Sequence, residues 1–219
     1  MIRAFLDESG THPETPVLGV AGCYAEEERW CQFREVWLPH SQNFHAKNSS
    51  RLFPKLTEAL RISGIQAVLV SVAKETYKNF ATVHFKTAMG NAYSCCALSC
   101  VAQICSENSM YTTDFVLEAG QPNLSFVMSV LESMKDSGEW LIGSVIDAKK
   151  PDFIELHSAD FVSHICSTYD KEWMEKLFAL KILRHAHLTK NELENVSPKV
   201  TSLFRTAKAI RRAQRKEEQ

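Results

Sequence analysis

Three carboxylates lie at the ends of apolar runs or within an apolar helix, where a charged side chain is costly unless it has a function. Asp7 ends the apolar run in MIRAFLDESG, Glu118 ends DFVLE, and Asp160 lies within IELHSADFVSHIC. Carboxylates that are not fully hydrated repel one another and resist desolvation, and a bound cation relieves both costs. Carboxylate oxygens are the ligands that Mg²⁺ and Mn²⁺ prefer. Acids from three elements can hold two such ions about 3.5–4 Å apart, an arrangement suited to phosphodiester cleavage.

A fourth acid, Glu8, directly follows Asp7. Successive side chains of a strand point to opposite faces, so a regular strand cannot aim both acids at one metal. A bend at Ser9–Gly10 would relax that restriction. The predicted catalytic residues are Asp7, Glu8, His45, Glu118 and Asp160, and those predicted to bind the metal, Mg or Mn, are Asp7, Glu118 and Asp160.

Each of these acids also has an ordinary interpretation. A single acid at a strand end is typical of a solvated turn or a helix cap. Asp160 shares a helix face with His157 and His164, one turn away on either side. It is therefore either a metal ligand with orienting partners or a buried Asp held by histidine in an ion pair.

The segment NFHAKNSS concentrates polar chemistry between two predicted helices. In phosphodiester cleavage, His45 would transfer protons at the leaving group and Lys47 would hold the scissile phosphate. The alternative is a loop anchored by Phe44 with ordinary polar residues.

The net charge of the chain is only -1, but its C-terminus is basic. We predict a nucleic-acid-binding arm in which each phosphate contact adds salt-dependent affinity, and a solvated terminal helix is the alternative. The predicted contacts are Arg205, Lys208, Arg211, Arg212 and Arg215, together with Lys47.

The elements that position these residues alternate along the chain. Apolar runs at 2–8 and 17–24 predict an N-terminal hairpin, and further strands are predicted after Gly64, at 114–118 and at 139–148. Helices are predicted between them, including a long one at 85–106 and one at 153–169, and two more follow at 171–188 and 199–215. We expect an α/β fold with a mixed sheet, an antiparallel hairpin and parallel crossovers. Sites in such sheets collect where the strands end.

Composition excludes several classes. With 219 residues, of which 45% are hydrophobic, the chain can bury a substantial core. We expect a cytoplasmic protein, because no uncharged apolar run approaches the about 20 residues that span a membrane, and the N-terminus lacks a signal-peptide pattern. The seven cysteines form no CxxC pair, which favours reduced core thiols. Neither a P-loop nor a dinucleotide motif is present.

Four short motifs, FLDESG, FHAK, VLEAG and LHSADFVSH, together resemble the bacterial domain of unknown function 3800 family. The resemblance spans roughly residues 2–170 and implies a ribonuclease H-like fold, followed by a helical C-terminal extension over 171–219. It implies Asp7, Glu118 and Asp160 as metal ligands, with Glu8 and His45 at the margin of the site. Family members usually have Gln at the place of His157 and more often Asp at that of Glu118.

The expected function is a metal-dependent nuclease or phosphodiesterase, which the resemblance associates with phage defence or mobile elements. Its expected partner is a nucleic acid, DNA or RNA. The alternative is a catalytically silent module that engages a protein partner through its C-terminal helices. A hydrolase of small phosphorylated molecules is a third hypothesis.

Overall fold

One mixed sheet organises the protein. The computed structural model describes residues 1–82, 85–86, 89–121, 123–138 and 140–195. The strands are β1 (Ile2–Ser9), β2 (Val17–Glu26), β3 (Gln66–Ala73), β4 (Thr113–Glu118), β5 (Ile142–Ala148) and β6 (Leu183–His187). The helices are α1 (Glu27–Trp37), α2 (Phe53–Ser63), α3 (Lys74–Phe80), α4 (Ala92–Glu107), α5 (Leu124–Ser137), α6 (Leu156–Ser167) and α7 (Lys171–Ala179).

The strand order in the sheet is β5-β4-β1-β2-β3-β6. β1 and β2 form the predicted antiparallel hairpin, and β3 also runs antiparallel to β2. The pairs β1–β4, β4–β5 and β3–β6 are parallel. β1 is therefore central, and its C-terminal end lies beside the C-terminal ends of β4 and β5.

A hydrophobic core fills each face of the sheet. Ile2, Ala4 and Leu6 of β1 point into the core shared with α4 and α5, whereas Phe5 points into the core shared with α1, α2 and α6. This alternation is the period-two pattern of a strand that is buried on both faces. By the same alternation, the side chain of Asp7 leaves β1 on the α6 face.

Two predicted helices differ from the structure. The helix predicted at 85–106 is interrupted at 90–91, because Gly90 adopts a positive φ and the Asn91 side chain accepts the Ser94 backbone N–H as the N-cap of α4. The helix predicted at 171–188 ends at Ala179, and β6 follows it. His185 and His187 were expected on a helix and instead lie on a strand beside β3, where both contact the Ser71 hydroxyl.

The described part of the C-terminal extension, residues 171–195, is thus a helix, a strand and a further helical stretch at 190–195. The helix predicted at 199–215 lies outside the described residues. Among those residues, no helix is long and apolar enough to cross a membrane.

The small residues of α4 let this helix pack closely against β2. A β-carbon added at Gly22 would stand 2.6 Å from Ile104 Cδ1 and 2.9 Å from Cys100 Sγ, both closer than packed atoms normally approach. Glycine is therefore needed at position 22 because α4 packs closely against β2, and not because the chain turns there.

Overpacking at this point gives a prediction of stability. Gly22→Ala should lower the free energy of unfolding by about 1–3 kcal/mol, because the core has no room for a methyl group. Ile104→Val alone should cost about 0.5–1.5 kcal/mol, yet it removes the carbon nearest to the new methyl group. The double variant should therefore lose less than the sum of the two single losses in urea denaturation. Strictly additive losses would contradict the close approach.

Candidate metal centre

Three acids meet where β1 and β4 end. Leu6 pairs with Leu117 across the parallel strands, so Asp7 and Glu118 leave the sheet as neighbours. Ligand atoms of Asp7, Glu8 and Glu118 all lie within 4.8 Å of one another. Asp7 is only 2% exposed. The two strands that end in Asp7 and Glu118 therefore bring these acids together in the structure.

Glu8 joins the cluster although β1 stays regular through Ser9. The backbone N–H of Glu8 donates to Asp7 Oδ1 at 2.7 Å, which fixes the two acids relative to each other. The chain turns at Gly10, whose φ of +85° is a conformation that favours glycine.

Asp160 faces the same place from α6, the helix that packs across β1 and β2. The backbone N–H of Ala46 donates to Asp160 Oδ2 at 2.9 Å. His45 Nδ1 lies 3.8 Å from the same oxygen. The NFHAKNSS segment therefore anchors Asp160, and His45 lies beside the acids at the cleft.

Neither histidine of α6 forms the ion pair with Asp160 that was the alternative to metal binding. His157 Nδ1 accepts a hydrogen bond from Trp37 Nε1 at 3.0 Å, and burial lowers the pKa of His157 to about 4. Burial also lowers the pKa of His164. Both rings are therefore neutral near pH 7.

The cation that Asp160 does meet is Lys150, which no sequence pattern had singled out. Lys150 Nζ lies 3.0 Å from Asp7 Oδ2, 2.9 Å from Glu118 Oε1 and 3.4 Å from Asp160 Oδ1. Its side chain is 15% exposed. The signal in the sequence was its position two residues after the predicted strand that ends at Ala148, since β5 lies parallel to β4.

An open cleft of about 660 Å³ leads to these residues. It contains charged, imidazole, amide and hydroxyl groups suited to a polar ligand. The lining residues are Glu8, Ser9, Gly10, Thr11, His12, Thr15, His45, Lys47, Glu118, Gln121, Lys150, Asp160, His164, Ser167 and Thr168. Lys47 thus lines the cleft, whereas Arg205, Lys208, Arg211, Arg212 and Arg215 lie outside the described residues.

The pKa values of the acids are shifted because several carboxylates lie close together in a site that contains little water. Burial raises the pKa of Asp7 well above its usual value, and the neighbouring Glu8 adds to the effect. Burial and the charge of Glu118 raise the pKa of Glu8 to about 8. Burial acts on Glu118 in the same direction, but its hydrogen bond with Asp7 and its contact with Lys150 hold its pKa below the usual value.

These residues fit a divalent cation. Glu8 Oε2 is a buried oxygen without a hydrogen bond, and the buried Asp7 Oδ2 lies 3.0 Å from the ammonium of Lys150 without a well-aligned hydrogen bond. Buried acceptors without a partner are rare and costly in proteins. A hard cation would satisfy both oxygens and offset the repulsion that raises the two pKa values.

The arrangement of strands and helices is similar to that of solved structures of two ribonucleases. No protein-family model matches the chain, and no curated protein does. Ribonuclease HII of Archaeoglobus fulgidus, solved in complex with PCNA, superposes with a TM-score of 0.51 at 17% identity, covering 81% of this chain and 78% of that one. Bst-RNase HIII in complex with Mn²⁺ gives 0.51 at 10% identity, covering 82% of this chain and 56% of that one.

The protein therefore has the predicted ribonuclease H-like α/β fold. At these identities the likeness establishes the fold and not the activity. The resemblance to the domain of unknown function 3800 family stays a prediction, because none of these comparisons bears on it.

The raised pKa of Glu8 predicts how the stability of the metal-free protein depends on pH. Between its ordinary value near 4.5 and about 8, Glu8 holds a proton in the folded protein and not in the unfolded chain. The folded state thus binds more protons, and stability falls as pH rises through this interval. Glu8→Gln should flatten the dependence and melt several degrees higher at pH 8 in excess EDTA, since each kcal/mol is about 2–4 °C at this size.

The matched control is Glu28→Gln, which neutralises an exposed acid of α1. It should reproduce the wild-type profile of melting temperature against pH. If Glu8→Gln also gave the wild-type profile, the proton held by Glu8 in the folded protein would be disproved.

Proposed function

We propose that this protein is a Mg²⁺- or Mn²⁺-dependent nuclease that hydrolyses phosphodiester bonds of a nucleic acid strand in the cleft. The observation that supports it is the convergence of Asp7, Glu118 and Asp160, from two strands and a helix, on one position, where an oxygen of each acid lies within 3.4 Å of Lys150 Nζ. The ribonuclease H-like fold and the open, polar cleft beside these acids agree with this function.

Asp7, Glu118 and Asp160 would hold the cation, with Glu8 beside them. When bound, the cation would activate the attacking water and stabilise the leaving oxygen. Asp7 is the most enclosed of these acids, and its position at the end of the central strand fixes it firmly. The Ala46 N–H orients Asp160 so that its other oxygen faces the cluster.

Two residues of the NFHAKNSS segment would act on the substrate. His45 Nδ1 accepts the backbone N–H of Lys47 at 3.3 Å, so a neutral His45 ring carries its proton on Nε2. A proton held there can be exchanged with a leaving group in the cleft. Lys47 provides a positive charge at the cleft for the scissile phosphate.

The resemblance to the domain of unknown function 3800 family adds an expected setting in phage defence or mobile-element biology. The alternative of a silent module that binds a protein partner predicts no cation binding at the acids. The same experiment therefore separates the two functions.

The first test is calorimetric titration of Mn²⁺ into the wild-type protein and Asp160→Asn. The wild type should bind one or two ions, and the variant should lose more affinity than the roughly 10–100-fold that removal of an outer-shell partner costs. The Asn carbonyl can still accept the Ala46 N–H, so the fold should persist in circular dichroism. Metal-dependent cleavage of oligonucleotides should fall in parallel.

Glu28→Gln serves as the control for the loss of one acid and should bind Mn²⁺ as the wild type does. Equal binding by the wild type and Asp160→Asn would remove Asp160 from the ligands. Absence of binding in the wild type, even with an oligonucleotide present, would contradict the nuclease and favour the silent module.

The basic C-terminus carries a separate prediction about substrate binding. Deleting residues 205–219 should weaken polynucleotide binding and reduce the slope of log affinity against log salt by about 0.7–0.9 for each phosphate that the arm neutralises. Deleting only 217–219 keeps every basic residue of the arm and is the matched control. An unchanged slope in the longer deletion would show that the arm does not contact phosphates.

A further inference from the structure

Lys150 has an unusual environment for a lysine. Its ammonium contacts three carboxylates from β1, β4 and α6, all within 3.4 Å. Ordinary surface ion pairs join one base to one acid and contribute little. An ammonium enclosed by three acids is a compact point charge coordinated by oxygens, which is how a hard cation is bound.

The acids that contact Lys150 are the same acids that would hold the divalent cation. A divalent cation and an ammonium cannot share one set of carboxylate oxygens at these distances, because their mutual repulsion in a partly buried site is large. The metal and the ammonium of Lys150 in its observed position therefore exclude each other.

Lys150 can leave without refolding the site. It follows β5 in a turn, and its side chain lines the cleft. Its stem is a flexible four-carbon chain, so rotation about side-chain bonds carries the ammonium toward the cleft while the backbone of β5 stays paired. The exchange requires no movement of Asp7, Glu118 or Asp160.

We propose that Lys150 is a resident counter-ion that competes with the divalent cation, so that metal binding proceeds by exchange for its ammonium. The proposal rests on the proposed function, because it takes the acid cluster to be a metal site. Its consequence is a cation affinity set below what the four acids alone would give. A substrate phosphate that attracts the displaced ammonium would raise that affinity, and by reciprocity the metal would tighten substrate binding.

The test is the affinity for Mn²⁺ alone, measured by calorimetry and by the Mn²⁺ dependence of the melting temperature. Lys150→Met keeps the length and apolar stem of the side chain and removes its charge. It should bind Mn²⁺ at least tenfold more tightly than the wild type. Lys149→Met removes an exposed charge next to it in sequence and should change the affinity less than twofold.

Two further variants keep the result interpretable. Lys150→Arg retains the positive charge and should show no gain in affinity. Lys150→Gln can still donate hydrogen bonds to the acids; if Lys150→Met fails to fold without metal, Lys150→Gln takes its place and should also bind Mn²⁺ more tightly.

The outcomes separate the two proposals. Equal or weaker Mn²⁺ binding by both neutral variants, with the wild type binding normally, would overturn the exchange and leave the metal site intact. Absence of Mn²⁺ binding in every variant and in the wild type would overturn the metal site and the exchange together. Tighter binding in Lys149→Met as well would reduce the effect to net charge and would also overturn the exchange.

Discussion

The main constraint on this structure is that several carboxylates lie close together at one end of the sheet, where they are largely shielded from water. Asp7 ends the central strand, Glu8 follows it, and Glu118 ends the parallel neighbour. Burial raises the pKa values of Asp7 and Glu8, so the metal-free protein keeps this cluster at the expense of stability. Such an expense is typical of a site whose geometry serves a ligand rather than the fold.

The rest of the fold positions this cluster. Parallel pairing of β1, β4 and β5 places three C-terminal strand ends at one edge, where α/β sheets collect their sites. α6 crosses above β1 and β2 and presents Asp160, whose second oxygen is fixed by the Ala46 N–H. The hydrogen bond from Trp37 to His157 ties α1 to α6 and keeps that helix in place.

The sequence was most informative where a local pattern determines the outcome. Asp7, Glu118 and Asp160 could be selected because acids at the ends of apolar runs, or within an apolar helix, stand out without knowledge of the fold. Lys150 could not, because its role depends on which strands pair, and pairing of distant segments has no local signal. β6 was missed because its sequence, LRHAH, is short and polar, and its place beside β3 comes from tertiary contacts.

Lys150 also affects whether the protein can fold before a metal ion binds. A cluster of buried acids that required a metal before it could form would tie folding to the supply of ions, as happens in small domains built around zinc. Here the chain provides its own positive charge at the centre of the site. Under the proposed function, the protein can fold with its acids already aligned, and the metal ion can bind afterwards.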